Sequence, residues 1–283
     1  MILVIGSTGT VGSEVLRQAR AAGAEVRALV RSPEKGEEAK AAGAEIAVGD
    51  CSDPTSLDAA LDGVDHLFVV LPGGPDQVAL ETNAIEAAGR RGAVHVVKLS
   101  VMGADPESPV RFGASHGKVE RVLADSGLDH TLLHPTDFMQ NAFGWAATLR
   151  SGQVHSPIPD AQIASIDVRD IGAVAVAALT EPGHQGKVYE MTGPEALTRR
   201  QQVSHLAAAA GVDAEVIEVT EDQARDAMLG MGYPEYAVGG LIELDEHVYK
   251  QGYAAAVAHG VREATGREPR GFEAFARENA QGF

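Results

Sequence analysis

The first twelve residues, Met1-Ile-Leu-Val-Ile-Gly-Ser-Thr-Gly-Thr-Val-Gly12, constrain the fold more than any other stretch. The apolar run Ile2 to Ile5 reads as a buried parallel strand. It breaks into a turn with glycines at Gly6, Gly9 and Gly12, and helical spacing of Val11, Val15, Leu16 and Ala19 follows. Strand, glycine turn and helix in that order form the context of a dinucleotide-binding fingerprint. Gly6 permits the tight exit, Gly9 lets the backbone approach a pyrophosphate, and Gly12 lets the helix pack close to the sheet. The amides of the helix N-terminus then face the anion. The spacing is G-x-x-G-x-x-G, one residue longer in its first gap than the common form. The rival reading is a glycine-rich turn without a ligand.

The alternation continues down the chain. Strands are expected over 25–30 (EVRALV), 45–48, 65–71 (DHLFVVL), 93–99 (AVHVVKL), 129–133 (DHTLL), 163–166 and 187–191 (KVYEM). Helices are expected over 33–42, from Pro54, over 76–91, over 112–126, and from Asp167. Strands alternating with helices imply right-handed crossovers and a parallel sheet covered on both faces. Ligands of such sheets lie outside the carboxyl ends of the strands, and Gly6, Arg31, Asp50, Pro72 and Ser100 all fall at such ends. Arg31, with Ser32 and Lys35 near it, stands where an NAD-preferring site carries an acid. A guanidinium suits a 2′-phosphate, so NADP(H) is expected over NAD(H). Asp50 is placed to accept from an adenine amino group, while Asp53 or Ser52 caps the helix at Pro54.

From Gly193 the pattern changes to short helical segments broken by glycines, with one strand expected over 215–219. The fold class is therefore α/β. A Rossmann-type doubly wound parallel sheet spans residues 1–192, and a smaller, mostly helical C-terminal substrate lobe spans 193–283.

Composition narrows the partners. The net charge is −17, from 40 acidic and 23 basic residues, which disfavours a broad nucleic-acid face. Any phosphate site must then be built locally, from a few basic residues and backbone amides. No apolar run approaches the ~20 residues of a membrane span. The short apolar start has no basic region before it, so a secretory signal is not expected. The one cysteine, Cys51, excludes an internal disulfide, and a cytoplasmic location is expected. The expected partner is a small-molecule substrate; a homodimer stays open.

Taken together, the motifs resemble the NmrA-like group of atypical short-chain dehydrogenases/reductases, which includes quinone oxidoreductases and triphenylmethane dye reductases. They are GSTGTVGSEV (6–15), VRSPEK (30–35), GDCSD (49–53), LSVMGA (99–104), HGKVERVLADSGLDHTLLHPTDFMQN (116–141), DVRDIGAVA (167–175) and TGREPRGFEAFARE (265–278). The resemblance implies NADP(H) in the cleft. It implies that Gly6 and Thr8, Gly9, Thr10, Val11 and Gly12 wrap the pyrophosphate, that Arg31 holds the 2′-phosphate, and that Asp50 and Cys51 border adenine. Leu71, Pro72, Gly73 and Ser100 would line the ribose and nicotinamide, with Lys118 reaching the nicotinamide ribose. Pro135, Thr136 and Phe138 would pack by the nicotinamide amide, and Asn141 would face the substrate.

One departure bears on mechanism. Ordinary members of the wider class use Tyr-x-x-x-Lys, in which the phenol donates a proton. Counting back from Lys118 gives Ala114, and the first tyrosine of the chain is Tyr189. Hydride delivery to an electron-poor conjugated acceptor, such as a quinone, is then the simplest chemistry. Lys118, His116 and Ser100 are the candidate catalytic residues, and Asp137 joins Asn141 on the substrate side. A second reading is a redox sensor that binds NADP(H) without turnover. A third is a ketone or imine reductase using His116 or Asp137 as acid. No metal is expected, since His130 and His134 are four apart in a strand. The string Gly113-Ala-Ser-His-Gly117 matches a nucleophile elbow but lacks the preceding strand.

Overall fold

The structure, a computed structural model, describes residues 1–92 and 94–283. In chain order the first half comprises β1 (Ile2–Ile5), α1 (Thr10–Ala21), β2 (Val26–Val30), α2 (Glu37–Ala41), β3 (Glu45–Val48), α3 (Pro54–Ala60), β4 (His66–Val69), α4 (Gln77–Arg91), β5 (His95–Leu99), α5 (Arg111–Asp125) and β6 (His130–Pro135). There follow α6 (Ala146–Arg150), β7 (Gln153–Ser156), β8 (Gln162–Ile163), α7 (Val168–Thr180), β9 (Val188–Met191), β10 (Leu197–Thr198), α8 (Arg199–Ala210) and β11 (Glu215–Glu218). The chain ends with α9 (Glu221–Gly230), α10 (Glu235–Leu244), a π-helical turn (Asp245–Tyr249), α11 (Gly260–Thr265) and α12 (Phe272–Glu278). The fifth expected strand began at Ala93, which lies outside the described residues; the strand they show starts at His95.

Seven strands form one parallel sheet in the order β3-β2-β1-β4-β5-β6-β9. The order reverses beside β1, which opens a crevice at the carboxyl ends of β1 and β4. The unbroken apolar run of β1 follows from burial on both faces. Ile2 and Val4 join Val15 and Leu16 of α1 and Ile171 and Val174 of α7. Leu3 and Ile5 join Leu57 of α3, Ile85 of α4 and Leu123 of α5. Each such side chain contributes about 1.5–3 kcal/mol when fully buried.

Three expectations need correction. Residues 33–42 form a 3-10 turn, Pro33–Gly36, and then the five-residue α2. The strand at 163–166 shrinks to β8, which pairs antiparallel with β10, and Ile166 makes only a single bridge to Phe138. The smaller lobe is not confined to 193–283. Its β11 pairs in parallel with β7, and Met139, Leu149 and Val154 share a core with Leu206, Phe272 and Phe275. Between β6 and α7, Met139, Ala142, Leu149 and Val154 find burial in the lobe, while Ile166 packs into the sheet core. In the other direction, Val261 and Ala264 of α11 pack into the sheet core.

Candidate active site

The phosphate cradle follows from backbone geometry. Gly6 leaves β1 at φ +79°, and a Cβ there would sit 2.1 Å from the Val70 carbonyl oxygen. The Gly9 amide donates to the Gly6 carbonyl at 3.0 Å, and Ser7 Oγ donates to the Leu29 carbonyl at 3.1 Å, tying the turn to β2. A Cβ on Gly12 would meet the Gly6 oxygen at 2.1 Å, so α1 packs as closely as a glycine permits. Helices α3, α7, α8 and α9 are capped by the side chains of Asp53, Asp167, Thr198 and Thr220. Helix α1 has Gly9 at its N-cap, no side-chain cap and no acid in its first turn. Its leading amides are therefore free for an anion. A Cβ on Gly9 would project into the space beside them, with only the Gly6 oxygen near it, at 3.4 Å. These features fit a dinucleotide diphosphate.

Beside the cradle, Arg31 is exposed, and its guanidinium bonds to no described residue. Asp50 Oδ1 accepts from Ser52 Oγ at 2.6 Å and from the Ser52 amide at 2.8 Å. These bonds, with a smaller contribution from the Arg31 charge, hold the Asp50 carboxyl below its ordinary range. Asp53 takes the capping role by accepting from the Thr55 amide at 3.0 Å. Cys51 is buried in the core, and burial pushes its thiol up to about 12, so it is a packing residue and not a nucleophile.

The loop after β4 rests on a buried polar network. The Leu71 amide donates to Glu81 Oε1 at 3.2 Å, and Glu81 Oε2 lies 2.8 Å from Lys98 Nζ, both side chains fully buried. Lys98 also donates to the Leu99 carbonyl at 2.9 Å and to His116 Nδ1 at 3.0 Å. His116 thus points into the protein. Burial first, then the Lys98 charge, holds its imidazole well below its ordinary value. This corrects the expectation of an acid near neutral pH: His116 is neutral and engaged. Ser100 is corrected for a similar reason. Its side chain is buried, and its hydroxyl donates to Glu120 Oε1, which also bonds His134 Nε2 at 2.8 Å. It is committed to that network and not free to orient a carbonyl.

At the end of β6 the Thr136 amide donates to the Met191 carbonyl at 3.1 Å, joining Pro135 and Thr136 to β9. Phe138 is half-buried against the core. Asp137 Oδ2 accepts from Arg199 Nη1 at 3.1 Å and from Ser165 Oγ at 3.0 Å, and its Oδ1 accepts from Asn141 Nδ2 at 2.9 Å. Its side chain is 7% exposed, so the expectation of a free substrate-side acid is corrected: Asp137 is an ion-paired anchor. Asn141 itself is exposed. Lys118 is exposed on the face of α5 that carries Arg111 and Ser115. That face meets the lobe. Arg111 pairs with Glu243 at 2.5 Å and lies over the Tyr236 ring, and Ser115 Oγ is 3.3 Å from Tyr236 Oη. Ser115 is thus a helical residue and no nucleophile elbow.

The leading residues of α1 with Arg31, Asp50 and the loop at 71–73 thus share one edge, and Lys118 projects from α5. Sequence reasoning missed Glu81, Glu120 and Arg199. A lysine inside the apolar run AVHVVKL signals a buried partner; no local pattern signals Arg199.

A protein-family model described as the NmrA-like family matches residues 1–276. An NAD(P)H azoreductase of Xenophilus azovorans is 42% identical over 284 residues, covering 100% of this chain and 99% of the relative. A (4-alkanoyl-5-oxo-2,5-dihydrofuran-3-yl)methyl phosphate reductase of Streptomyces griseus is 38% identical over 287 residues, covering 100% and 99%. An NADPH-dependent quinone oxidoreductase of Escherichia coli, solved in complex with NADPH, is 26% identical. It superposes with a TM-score of 0.88, covering 98% of this chain and 99% of that one.

Proposed function

The chain belongs to the NmrA-like family, and from that premise we propose that it is a reductase of small electron-poor conjugated compounds, with quinones as the leading acceptor class. It is an NAD(P)H-dependent oxidoreductase, with NADPH as its cofactor. An azo bond, a substituted dihydrofuranone and a quinone, the groups in the relatives' names, are all conjugated and electron-poor. The observation that carries the reading is the uncapped α1 N-terminus beside an exposed Arg31 that pairs with no described residue, on the carboxyl edge of a parallel sheet.

In this reading the amides of residues 8–12 hold the diphosphate and Arg31 holds the 2′-phosphate. Asp50 and Cys51 border adenine. The backbone of Leu71, Pro72 and Gly73, fixed from below by Glu81, lines the ribose. Lys118 reaches the nicotinamide ribose, Pro135, Thr136 and Phe138 flank the nicotinamide, and Asn141 meets the substrate. Bound NADPH supplies the hydride. Helix α5 offers Ala114 where a proton-donating tyrosine would stand, which favours acceptors whose product anion is delocalised. The absorbance loss of NADPH, with NADH in parallel, tests the reading across quinones, azo dyes and activated ketones. Multiple turnovers with NADPH preferred are expected. Binding without consumption would replace this reading with a redox sensor.

A further inference from the structure

Arg199 opens α8 just beyond the carboxyl end of β6. Every hydrogen bond its guanidinium makes to a described residue leaves from Nη1, to Asp137 Oδ2 at 3.1 Å and to Gln202 Oε1 at 2.9 Å. Nε and Nη2 bond to no described residue, although the side chain is only 12% exposed, and neither is sealed from solvent. The group is held on several sides. The Trp145 and Tyr249 rings lie 5.3 and 5.8 Å from its Cζ. Asp137 is fixed by Ser165 and Asn141, and Gln202 Nε2 reaches Ser165 Oγ at 3.1 Å. A preorganised cation thus presents three uncommitted N–H donors at the junction of sheet edge and lobe. Tyr249 also ends a π-helical turn, a feature frequent at functional sites.

We propose that Arg199 binds the carbonyl oxygen of an uncharged conjugated acceptor and stabilises the negative charge that develops there during reduction. The inference rests on the reductase reading and names its acceptor class. Asp137 already balances the charge of Arg199, and Asp245 acts on the same guanidinium through space. An acceptor bearing its own negative charge meets both carboxylates. A neutral carbonyl meets only the donors, and gains charge as the reaction proceeds. The hydride that bound NADPH would supply leaves a nicotinamide C–H bond, giving NADP+, and forms one C–H bond at a carbon of the acceptor. The acceptor's π pair moves onto the oxygen facing Arg199, and water then protonates that oxygen. Asp137 is a positioning residue in this scheme.

Trp145 is the chain's one tryptophan and lies against Arg199, so its fluorescence reports occupancy directly. The probes are neutral 1,4-naphthoquinone and its anionic 2-hydroxy derivative. The variants are Arg199→Lys and the double variant Arg199→Gln with Asp137→Asn, which removes the hydrogen-bonded carboxylate together with its partner. The wild type should give saturable quenching, about 10-fold tighter for the neutral probe. In the double variant quinone binding should weaken about 10-fold and kcat should fall about 100-fold. An unchanged Kd for NADPH would show that the fold is intact. Arg199→Lys should recover part of the loss, since it keeps the charge without the planar fork. Wild-type kcat in the double variant, or tighter binding of the anionic probe, overturns the proposal. A wild type that consumes no NADPH overturns the reductase reading. In that case quinone quenching lost in the double variant still supports the carbonyl site, and its absence from the wild type overturns the site as well.

Discussion

Asp170 and Arg270, 100 positions apart, are bonded twice: the Arg270 amide donates to Asp170 Oδ2 at 2.7 Å, and its guanidinium donates to Oδ1. Two motifs of the sequence, at 167–175 and 265–278, therefore meet in space. The contact ties the segment before α12 to the first turn of α7. Asp170→Ala should lower stability by about 1–3 kcal/mol, because it removes the acceptor of a part-buried backbone donor along with the ion pair. Asp170→Asn, which can still accept from the amide, should cost less. Denaturant titration of the two variants separates the cases.

Gly12→Ala should impair both folding and cofactor binding. The new Cβ would lie 2.1 Å from the Gly6 oxygen, and α1 can yield only by moving the turn that forms the cradle. Overpacking of this kind costs about 1–3 kcal/mol. Thermal melts with and without NADPH should show a lower Tm and little stabilisation by cofactor.

Arg31→Ala should act on cofactor choice and leave stability alone, since the side chain is exposed and bonds to no described residue. A charge-assisted contact is worth about 1.5–3 kcal/mol, so kcat/KM for NADPH should fall about 10- to 100-fold. The value for NADH should hardly change.

Lys98→Met should be among the most damaging single changes. Glu81 would be left charged and fully buried, at a cost of about 3–5 kcal/mol, and the loop at Leu71 would lose its support. Replacing Glu81 with Met as well should restore most of the stability by removing the orphaned charge. If both variants are equally unstable in urea, the pair is not what holds this region.

Asp245 gives a pH dependence of definite sign. Burial raises its carboxyl from 3.8 to about 6, with Arg199 opposing the shift. Between those values the folded state keeps a proton that the unfolded chain has released. The unfolded state binds fewer protons there, so stability falls as pH rises through the window and stays lower above it. Asp245→Asn should raise stability near pH 7.5 by about 1–3 kcal/mol, and the gain should vanish below about pH 4. Melts of both proteins from pH 4 to 8 measure it.

The carboxyl edge of the sheet was legible in the sequence because its determinants are local. A glycine turn behind an apolar run forces a tight exit and an open helix terminus, and strand–helix alternation places Arg31, Asp50 and Leu71 on one edge. The catalytic candidates read less well. His116 and Ser100 have suitable chemistry, yet their neighbours come from other elements: Lys98 from β5 and Glu120 from α5. The lobe was misdivided because β7 pairs with β11 across about 60 positions, which local spacing does not record.

The sequence by itself determined the parallel sheet and which residues reach its carboxyl edge. Periodicity, glycine geometry and residue type act over a few positions and need no distant partner. Only the tertiary structure decided which polar groups are free to act. It buried Lys98 against Glu81, withdrew His116 and Ser100 into networks, and set Arg199 beside Asp137 from 62 positions away. A polar side chain's role depends on whether folding satisfies it or leaves it facing the cleft, and that is settled by long-range packing.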